Sequence, residues 1–429
     1  MTLSWLSIFR LGLVQMCLGA IVVLTTSTLN RLMVVELALP AVLPGLLVAL
    51  HYGIQITRPN WGFLSDAGGN RTLFIVGGMA VLAAGGLGAA WGVALLEASF
   101  GLGLAVSIAA YALIGVGVGA SGTSLLALLA SATAPRRRAA AATITWLMMI
   151  LGIAATAATV GAFLDPYSHA LLLRIVAVVT GGAVLLTMLA VWGIERRVAA
   201  QPLHDEMGFL EGLREVWAEP HARNFTIFVF LSMTAYFMQE LILEPFSGLV
   251  FGLTPGQSTS LSGAQNGGVF LGMLLVGIAA TGFRLGSLRS WVVAGCLGSA
   301  ASLAAIATAG SLGMKPALVP AVVALGFFNG VFAVAAIGSM MALAGRGRAA
   351  REGTRMGLWG AAQAIAAGFG GLAGAAAADL MRRLLDTDAA AFGAVFLAEA
   401  ALFLVAALMA LRVIETARAG RGAAMIPGE

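Results

Sequence analysis

Charged residues are scarce in this sequence. Only 10% of the 429 residues are charged, whereas 60% are hydrophobic and the mean hydropathy is +0.97. Soluble domains carry about 25% charged residues, so this composition excludes a soluble protein and predicts a polytopic membrane protein. The formal net charge is +5, but the arginines stand in short loops between apolar runs. Membrane topology explains that distribution, and we expect no nucleic-acid partner.

Cysteines and metal-ligating clusters are also scarce. The two cysteines, Cys17 and Cys296, lie far apart within apolar runs, without metal or redox spacing. The four histidines are scattered, and no nucleophile stands beside a base. Residues 117–122 match G-x-G-x-x-G inside an apolar run, whereas a dinucleotide site requires a preceding strand. We expect no enzyme, no catalytic residues, no metal of its own and no nucleotide cofactor.

Long apolar runs dominate what is present. About twelve are long enough to cross a bilayer, which takes about 20 residues. They form two sets of six around a polar stretch at 195–223. The runs lie at about residues 11–30, 37–57, 72–96, 101–131, 139–164, 169–194, 225–252, 261–283, 291–312, 317–344, 356–378 and 390–412.

The polar stretch divides the chain. Met207, Leu210, Leu213 and Trp217 stand at helical spacing within it, which predicts an amphipathic helix on the membrane surface. We expect an N-terminal six-helix half at 1–195, a cytoplasmic linker at 196–223 and a C-terminal six-helix half at 224–429. Because about 19 of the 24 basic residues fall in alternate loops and at the ends, both termini are predicted to be cytoplasmic.

The two halves repeat each other. A shift of about 213 positions superposes Arg138 on Arg351 and Trp146 on Trp359, and it places Arg31 opposite Glu244. Two parallel six-helix halves are the arrangement of the major facilitator superfamily. The loop at 62–71 (GFLSDAGGNR) resembles the superfamily's cytoplasmic signature between its second and third helices. The matching residues of this signature loop are Gly62, Asp66, Gly69 and Arg71.

Glu240 and Glu244 stand one helical turn apart inside an apolar run, with Gln239 beside them. A charged residue at membrane depth costs about 2.5–3.5 kcal/mol even on a lenient scale. Both carboxylates are therefore predicted to face a cavity, a partner helix or a ligand. Arg31 and Glu244 end the first helix of each half at equivalent positions. We expect a charge pair between the halves on the periplasmic side, with Glu36 near the same interface.

Four stretches carry a more specific resemblance. They are 29–40 (LNRLMVVELALP), 239–246 (QELILEPF), 51–53 (HYG) and 58–59 (RP). Together they resemble the PucC/LhaA-like bacteriochlorophyll-delivery family of phototrophic bacteria, over nearly the whole chain. The resemblance implies a multi-pass protein of the bacterial inner, intracytoplasmic membrane. It implies a scaffold that holds bacteriochlorophyll or a precursor as cargo and passes it to antenna polypeptides, or receives it from the membrane enzyme of pigment synthesis.

That function assigns roles to particular residues. The ligand-binding candidates are His51, Gln239, Glu240 and Glu244. Magnesium prefers oxygen ligands and also accepts imidazole in this pigment, so His51 and Glu240 are candidate ligands of the pigment magnesium. Two alternatives stay open. One is a secondary transporter of a small amphipathic solute that uses Glu240 and Glu244 for proton coupling, and the other is a pigment-free scaffold for antenna or synthesis proteins.

Overall fold

The fold consists of α-helices throughout the part of the chain that the structure describes. The computed structural model describes residues 3–58, 61, 70–133, 138–195, 217–282, 285–344 and 352–414. The helices are α1 (Trp5–Glu36), α2 (Val42–Thr57), α3 (Arg71–Ala98), α4 (Phe100–Ala132), α5 (Arg138–Phe163), α6 (His169–Val191), α7 (Pro220–Met238, Gln239–Leu241 and Leu243–Phe251), α8 (Pro255–Val276, then Gly277–Gly282), α9 (Leu288–Ser311), α10 (Lys315–Ala344), α11 (Glu352–Leu384) and α12 (Asp388–Val413).

A helix occupies each of the twelve predicted membrane spans. Ten of these helices are long and apolar enough to cross a membrane, and α7 makes eleven if its two bent parts are counted as one span. The remaining helix, α2, has only the range Val42–Thr57 and is too short for that count. The loop residues Gly62, Asp66 and Gly69 lie outside the described residues, and so does the expected linker helix up to residue 216. Trp217, the last residue of its predicted apolar stripe, is described and is exposed.

Two large hydrophobic cores lie side by side, and a small third cluster of Val34, Ala41 and Ala375 lies between the halves. Apart from Leu241, the members of one core come from α1–α6 and the segments beside them, and apart from Ile150 those of the other come from α7–α12 and their flanks. The cores meet where α2 packs against α11 and α5 packs against α8, while α1 contacts α7 and α8 between these pairs. This places α1 and α7 at the centre of the contact between the halves.

Connections at one end of the bundle are short. This end, the short-loop face, is formed by residues 37–41, 99, 164–168, 252–254, 312–314 and 385–387. Glycines let helices of opposite halves approach closely there. A Cβ added to Gly256 in α8 would lie 2.5 Å from the carbonyl oxygen of Gly161 in α5, so these backbones pack against each other directly.

The first helix is longer than the sequence pattern predicts. The stretch after Asn30 was expected to join the first two spans, but α1 continues to Glu36. It does so through two π-helical turns, Leu24–Thr28 and Leu32–Glu36. Polar residues at 30, 31 and 36 obscured the rest of the helix, because an apolar-run criterion ends a span where strongly polar residues begin. The π turns bring Arg31 and Glu36 onto one side of the same helix.

Candidate functional site

Helix α7 breaks at the predicted carboxylate stretch. Its axis bends by 40° between Ala222–Leu241 and Leu243–Phe251, and Gln239–Leu241 forms a 3-10 turn. Proline has no N–H and its ring crowds the carbonyl four residues earlier. Pro245 therefore leaves the carbonyl of Leu241 without a helical donor. That carbonyl accepts a 2.7 Å hydrogen bond from the side-chain amide of Asn30 in α1, so the break is stabilised from the other half.

Helix α1 is irregular at the equivalent position. The shift of about 213 residues maps the 3-10 turn of α7 onto residues 26–28, within the π turn Leu24–Thr28. There the hydroxyl of Tyr111 in α4 donates to the carbonyl of Thr25 at 2.9 Å. Such π turns are frequent at functional sites. Both central helices thus depart from α-helical pitch at one level, where they contact each other.

Arg31 pairs with Glu36 and not with Glu244. Its Nη1 lies 2.5 Å from Glu36 Oε1, and its Nη2 donates to the carbonyl of Leu253 at 2.7 Å. The predicted direct pair with Glu244 is therefore wrong. The physical reason is the π turn, which places residue i+5 over residue i. Arg31 still joins the halves through Leu253, and only 2% of its side chain is exposed.

Glu244 faces hydroxyl groups. The hydroxyl of Ser262 in α8 donates to Glu244 Oε1, and Ser27 of α1 donates to Ser262 at 3.0 Å. At the next residue of α1, the hydroxyl of Thr28 lies 3.3 Å from that of Thr259, which precedes Ser262 by three residues in α8. Glu244 is buried, and its Oε2 has no hydrogen-bond partner among the described residues. We call this set of contacts between α1, α7 and α8 the hydroxyl seam.

Glu240 stands apart from the other predicted candidates. Gln239 and Glu244 are buried, whereas Glu240 keeps part of its surface free. It lies beside Thr26 and within electrostatic range of Tyr52 and Tyr236. Aromatic contacts complete the surroundings, because the ring centroids of Tyr52 in α2 and Phe237 in α7 are 6.2 Å apart. A carboxylate bordered by aromatic rings between the halves can offer an oxygen ligand to a flat apolar guest.

His51 is engaged by its own helix. Its Nε2 lies 2.7 Å from the side-chain nitrogen of Gln55. The side-chain oxygen of Gln55 accepts a hydrogen bond from Arg58. Because Arg58 fixes the orientation of the Gln55 amide, His51 Nε2 must accept and Nδ1 must carry the proton. Nε2 is then occupied, and the buried Nδ1 has no hydrogen-bond partner among the described residues. The ring stacks on Tyr52 at 4.5 Å, so His51 positions that tyrosine.

Arg71 of the signature loop begins α3 and is buried. Its Nη1 donates to the carbonyl of Ala127 in α4 at 3.4 Å. The backbone N–H groups of Arg71 and Thr72 donate to the carboxylate of Glu195 at 2.7 and 2.8 Å. Glu195 therefore caps α3 within the N-terminal half, where a carboxylate also complements the helix dipole.

Sequence reasoning missed several participants. Two sequence signals indicated the hydroxyl seam. They are the run Thr25–Thr28 (TTST) in an apolar span, and the serines and threonine at 258–262. Tyr236 carried no signal, because isolated tyrosines are common in membrane helices, and Tyr52 lay in the 51–53 stretch without a role of its own. A groove of about 530 Å³ between α5, α8 and α10 contains none of the predicted ligand candidates. Its lining includes Asp165, Gly256, Gln257 and Ser260.

Comparison with known proteins gives consistent matches. The profile of the family described as PUCC protein matches residues 28–418. The chain is 70% identical over 429 residues to "Bacteriochlorophyll synthase 44.5 kDa chain" of Rhodobacter capsulatus, covering 100% of this chain and 99% of that one. It is 29% identical over 441 residues to "Protein PucC" of Cereibacter sphaeroides, covering 96% and 93%.

Solved structures show where the fold occurs elsewhere. A bacterial homologue of the human lysosomal transporter Spinster, solved in an inward-facing and unoccupied conformation, superposes with a TM-score of 0.67. The match covers 95% of this chain and 97% of that one at 17% sequence identity. This similarity establishes the fold of the major facilitator superfamily, and at such low identity it carries no information on substrate.

Proposed function

The chain belongs to the PUCC protein family, and we propose that it binds bacteriochlorophyll or a precursor and delivers it during assembly of photosynthetic complexes. Membership in this family, with relatives named for PucC and for a bacteriochlorophyll synthase chain, supports a role in making photosynthetic pigment or its complexes. The finer proposal concerns delivery. The recipient would be an antenna polypeptide, or the donor a membrane enzyme of pigment synthesis.

One observation carries the proposal to particular residues. Glu240 is only partly buried and lies beside Thr26 of α1, while Gln239 and Glu244 are buried in the contacts around α7. A bacteriochlorophyll is a flat apolar macrocycle that holds magnesium, a hard cation that prefers oxygen ligands. Glu240 would supply the oxygen, directly or through water. Tyr52, Tyr236 and Phe237 would contact the macrocycle, since aromatic rings favour offset stacking.

His51 takes a supporting role in this proposal. The sequence offered it as a magnesium ligand, but its Nε2 is engaged by the side-chain amide of Gln55. It would therefore fix the ring of Tyr52, on which it stacks. Gln239 and Glu244 would act through the shape of α7, because neither side chain exposes appreciable surface.

The relative at 70% identity is named as a chain of a synthase. We propose that this chain serves such an enzyme as a pigment carrier without catalysing the reaction. The carboxylate and the aromatic rings of the proposed site suit binding of the pigment. In a prenyl transfer the acceptor group would belong to the pigment, so this chain would present the acceptor to the enzyme. A purified preparation that attached a prenyl tail to pigment on its own would contradict this assignment.

The proposed location is the bacterial inner membrane with both termini in the cytoplasm. The multi-pass helical fold and the phototrophic family support a membrane site. The basic residues in the loops opposite the short-loop face support the orientation through the positive-inside rule. Fusion of a reporter that fluoresces only in the cytoplasm to residue 429 tests it, and a dark but folded fusion would contradict it.

The test of delivery begins with purification in mild detergent from a pigment-producing host. An absorption spectrum with a stoichiometric bacteriochlorophyll-type band would support the carrier. A colourless, folded protein would contradict it. In that case, uptake driven by a proton gradient would indicate a transporter of an amphipathic solute. Co-purified antenna or synthesis proteins without pigment would instead indicate a scaffold.

A further inference from the structure

Two aspartates on the short-loop face cap helices of the opposite half. Asp379, near the end of α11, accepts the backbone N–H groups of Ala41 and Val42 at 2.9 and 2.7 Å. These are the groups at the start of α2. The carboxylate satisfies two donors that the first turn of a helix leaves unpaired, and its charge faces the positive end of the helix dipole.

The second contact repeats the first. Asp165 follows α5 and accepts the backbone N–H of Gly256 at 3.1 Å, at the start of α8. It also accepts the hydroxyl of Thr254, the residue before α8. Pro255 has no N–H to offer, so the hydroxyl replaces one of the backbone donors. Each aspartate thus holds a helix that belongs to the other half.

The two contacts are related by the internal repeat. The shift of about 213 residues carries the start of α2 to the start of α8, since position 41 maps onto 254. It carries Asp165 to within one residue of Asp379. One structural device therefore occurs twice, on either side of the pseudo-symmetry axis, at the two helix pairs α2–α11 and α5–α8.

We propose that Asp165 and Asp379 are a pair of latches that hold the short-loop face closed, and that the protein opens on this face when both release their helices. The contacts suit reversible closure. Asp165 is exposed and Asp379 is half-buried, so water can replace each partner when the halves separate. The hydroxyl seam beneath the latches is also polar, and opening would hydrate it without exposing a wholly apolar core.

The groove beside one latch fits this device. Asp165 forms part of its wall, together with Gly161 of α5 and Gly256 of α8. Separation of α5 from α8 would widen the groove and connect it with the hydroxyl seam at Ser262. The inference goes beyond the proposed delivery function and does not depend on the identity of the cargo.

Labelling of a single cysteine in the hydroxyl seam tests the latches. Ser27→Cys is introduced after Cys17→Ala and Cys296→Ala, and the full chain in membranes is treated with a hydrophilic maleimide. Ser27 is buried between α1 and α8, so labelling is slow when the face is closed. Removing one helix cap costs about 1 kcal/mol, which would shift the equilibrium between the closed and the open short-loop face about fivefold towards the open state. Asp165→Ala with Asp379→Ala should therefore accelerate labelling at least tenfold.

Glu195→Ala is the matched control. Glu195 caps α3 with the same kind of carboxylate contact, but inside one half. The Glu195→Ala variant should be labelled at a rate within about twofold of the rate without this substitution, since loss of a cap within one half leaves the contact between the halves in place. Labelling of the double variant no faster than that of Glu195→Ala would overturn the proposal. If the double variant does not fold, Asp165→Ala against Glu195→Ala decides in the same way, with about fivefold expected.

Discussion

Asn30 donates to the carbonyl of Leu241 at 2.7 Å, and the bond exists because Pro245 cannot supply the helical N–H. The two most specific sequence stretches, 29–40 and 239–246, are thus parts of one contact between the halves. Asn30 satisfies a carbonyl that the proline of the other stretch leaves unpaired. This gives the asparagine and the proline a shared structural role.

Asn30→Ala is expected to lower the free energy of unfolding by about 1–3 kcal/mol, because a buried carbonyl loses its donor. Pro245→Ala restores a backbone N–H at that position. In the Pro245→Ala background, Asn30→Ala should cost at least about 1 kcal/mol less, since the helix can then satisfy Leu241. Reversible unfolding in detergent of all four proteins gives the coupling, and purely additive effects would refute it.

The buried guanidinium of Arg31 should couple to Glu36 more strongly than to Glu244. Breaking a fully buried pair costs about 3–5 kcal/mol, but the Glu36 side chain is 39% exposed. We therefore expect a coupling of about 1–2 kcal/mol for Arg31→Ala with Glu36→Ala. Arg31→Ala with Glu244→Ala should give a smaller value. Two double-mutant cycles measure the difference, and the reverse order would favour the pair inferred from sequence.

Close backbone packing between α5 and α8 is expected to tolerate no methyl group. A Cβ on Gly161 would lie 2.5 Å from the backbone nitrogen of Ser260 and 2.6 Å from the carbonyl oxygen of Gly256. Gly161→Ala should destabilise the protein by about 1–3 kcal/mol through overpacking. Gly182→Ala in α6 is the control, because nothing lies within 4 Å of its added Cβ. Thermal unfolding that ranks the two variants equally would contradict this packing.

The fold was readable from composition, because lipid allows few solutions for long apolar runs. The extension of α1 to Glu36 was not, since the rule that finds spans stops at polar residues. The pairing of Arg31 also depended on helical pitch. The sequence analysis assumed α-helical pitch, at which residues five apart do not lie on the same side of the helix. In a π turn they do.

Parts of the site could have been found earlier. Gln55 follows His51 by four residues, so their contact on one helical face is visible in the sequence and argues against a free imidazole. The repeat would also have revealed the latches, because Asp165 and Asp379 differ by nearly the same shift as the helix starts that they cap. The free surface of Glu240 could not be read, since it depends on how α2 and α7 meet.

Pigment content of matched glutamate variants tests the central claim most directly. Glu240→Gln and Glu244→Gln each remove one carboxylate from α7, but Glu240 is partly exposed and Glu244 is buried. Proteins purified from a pigment-producing host are compared by extracted pigment per chain and by the position of the Qy band. Loss of one ligand worth about 1.4 kcal/mol lowers affinity about tenfold.

We predict that Glu240→Gln loses most of the pigment or shifts its band, while Glu244→Gln retains the wild-type band in the protein that folds. Equal pigment in wild type and Glu240→Gln, with an unchanged band, would contradict the assignment of Glu240 as the magnesium ligand. A wild-type protein without pigment would contradict the carrier itself.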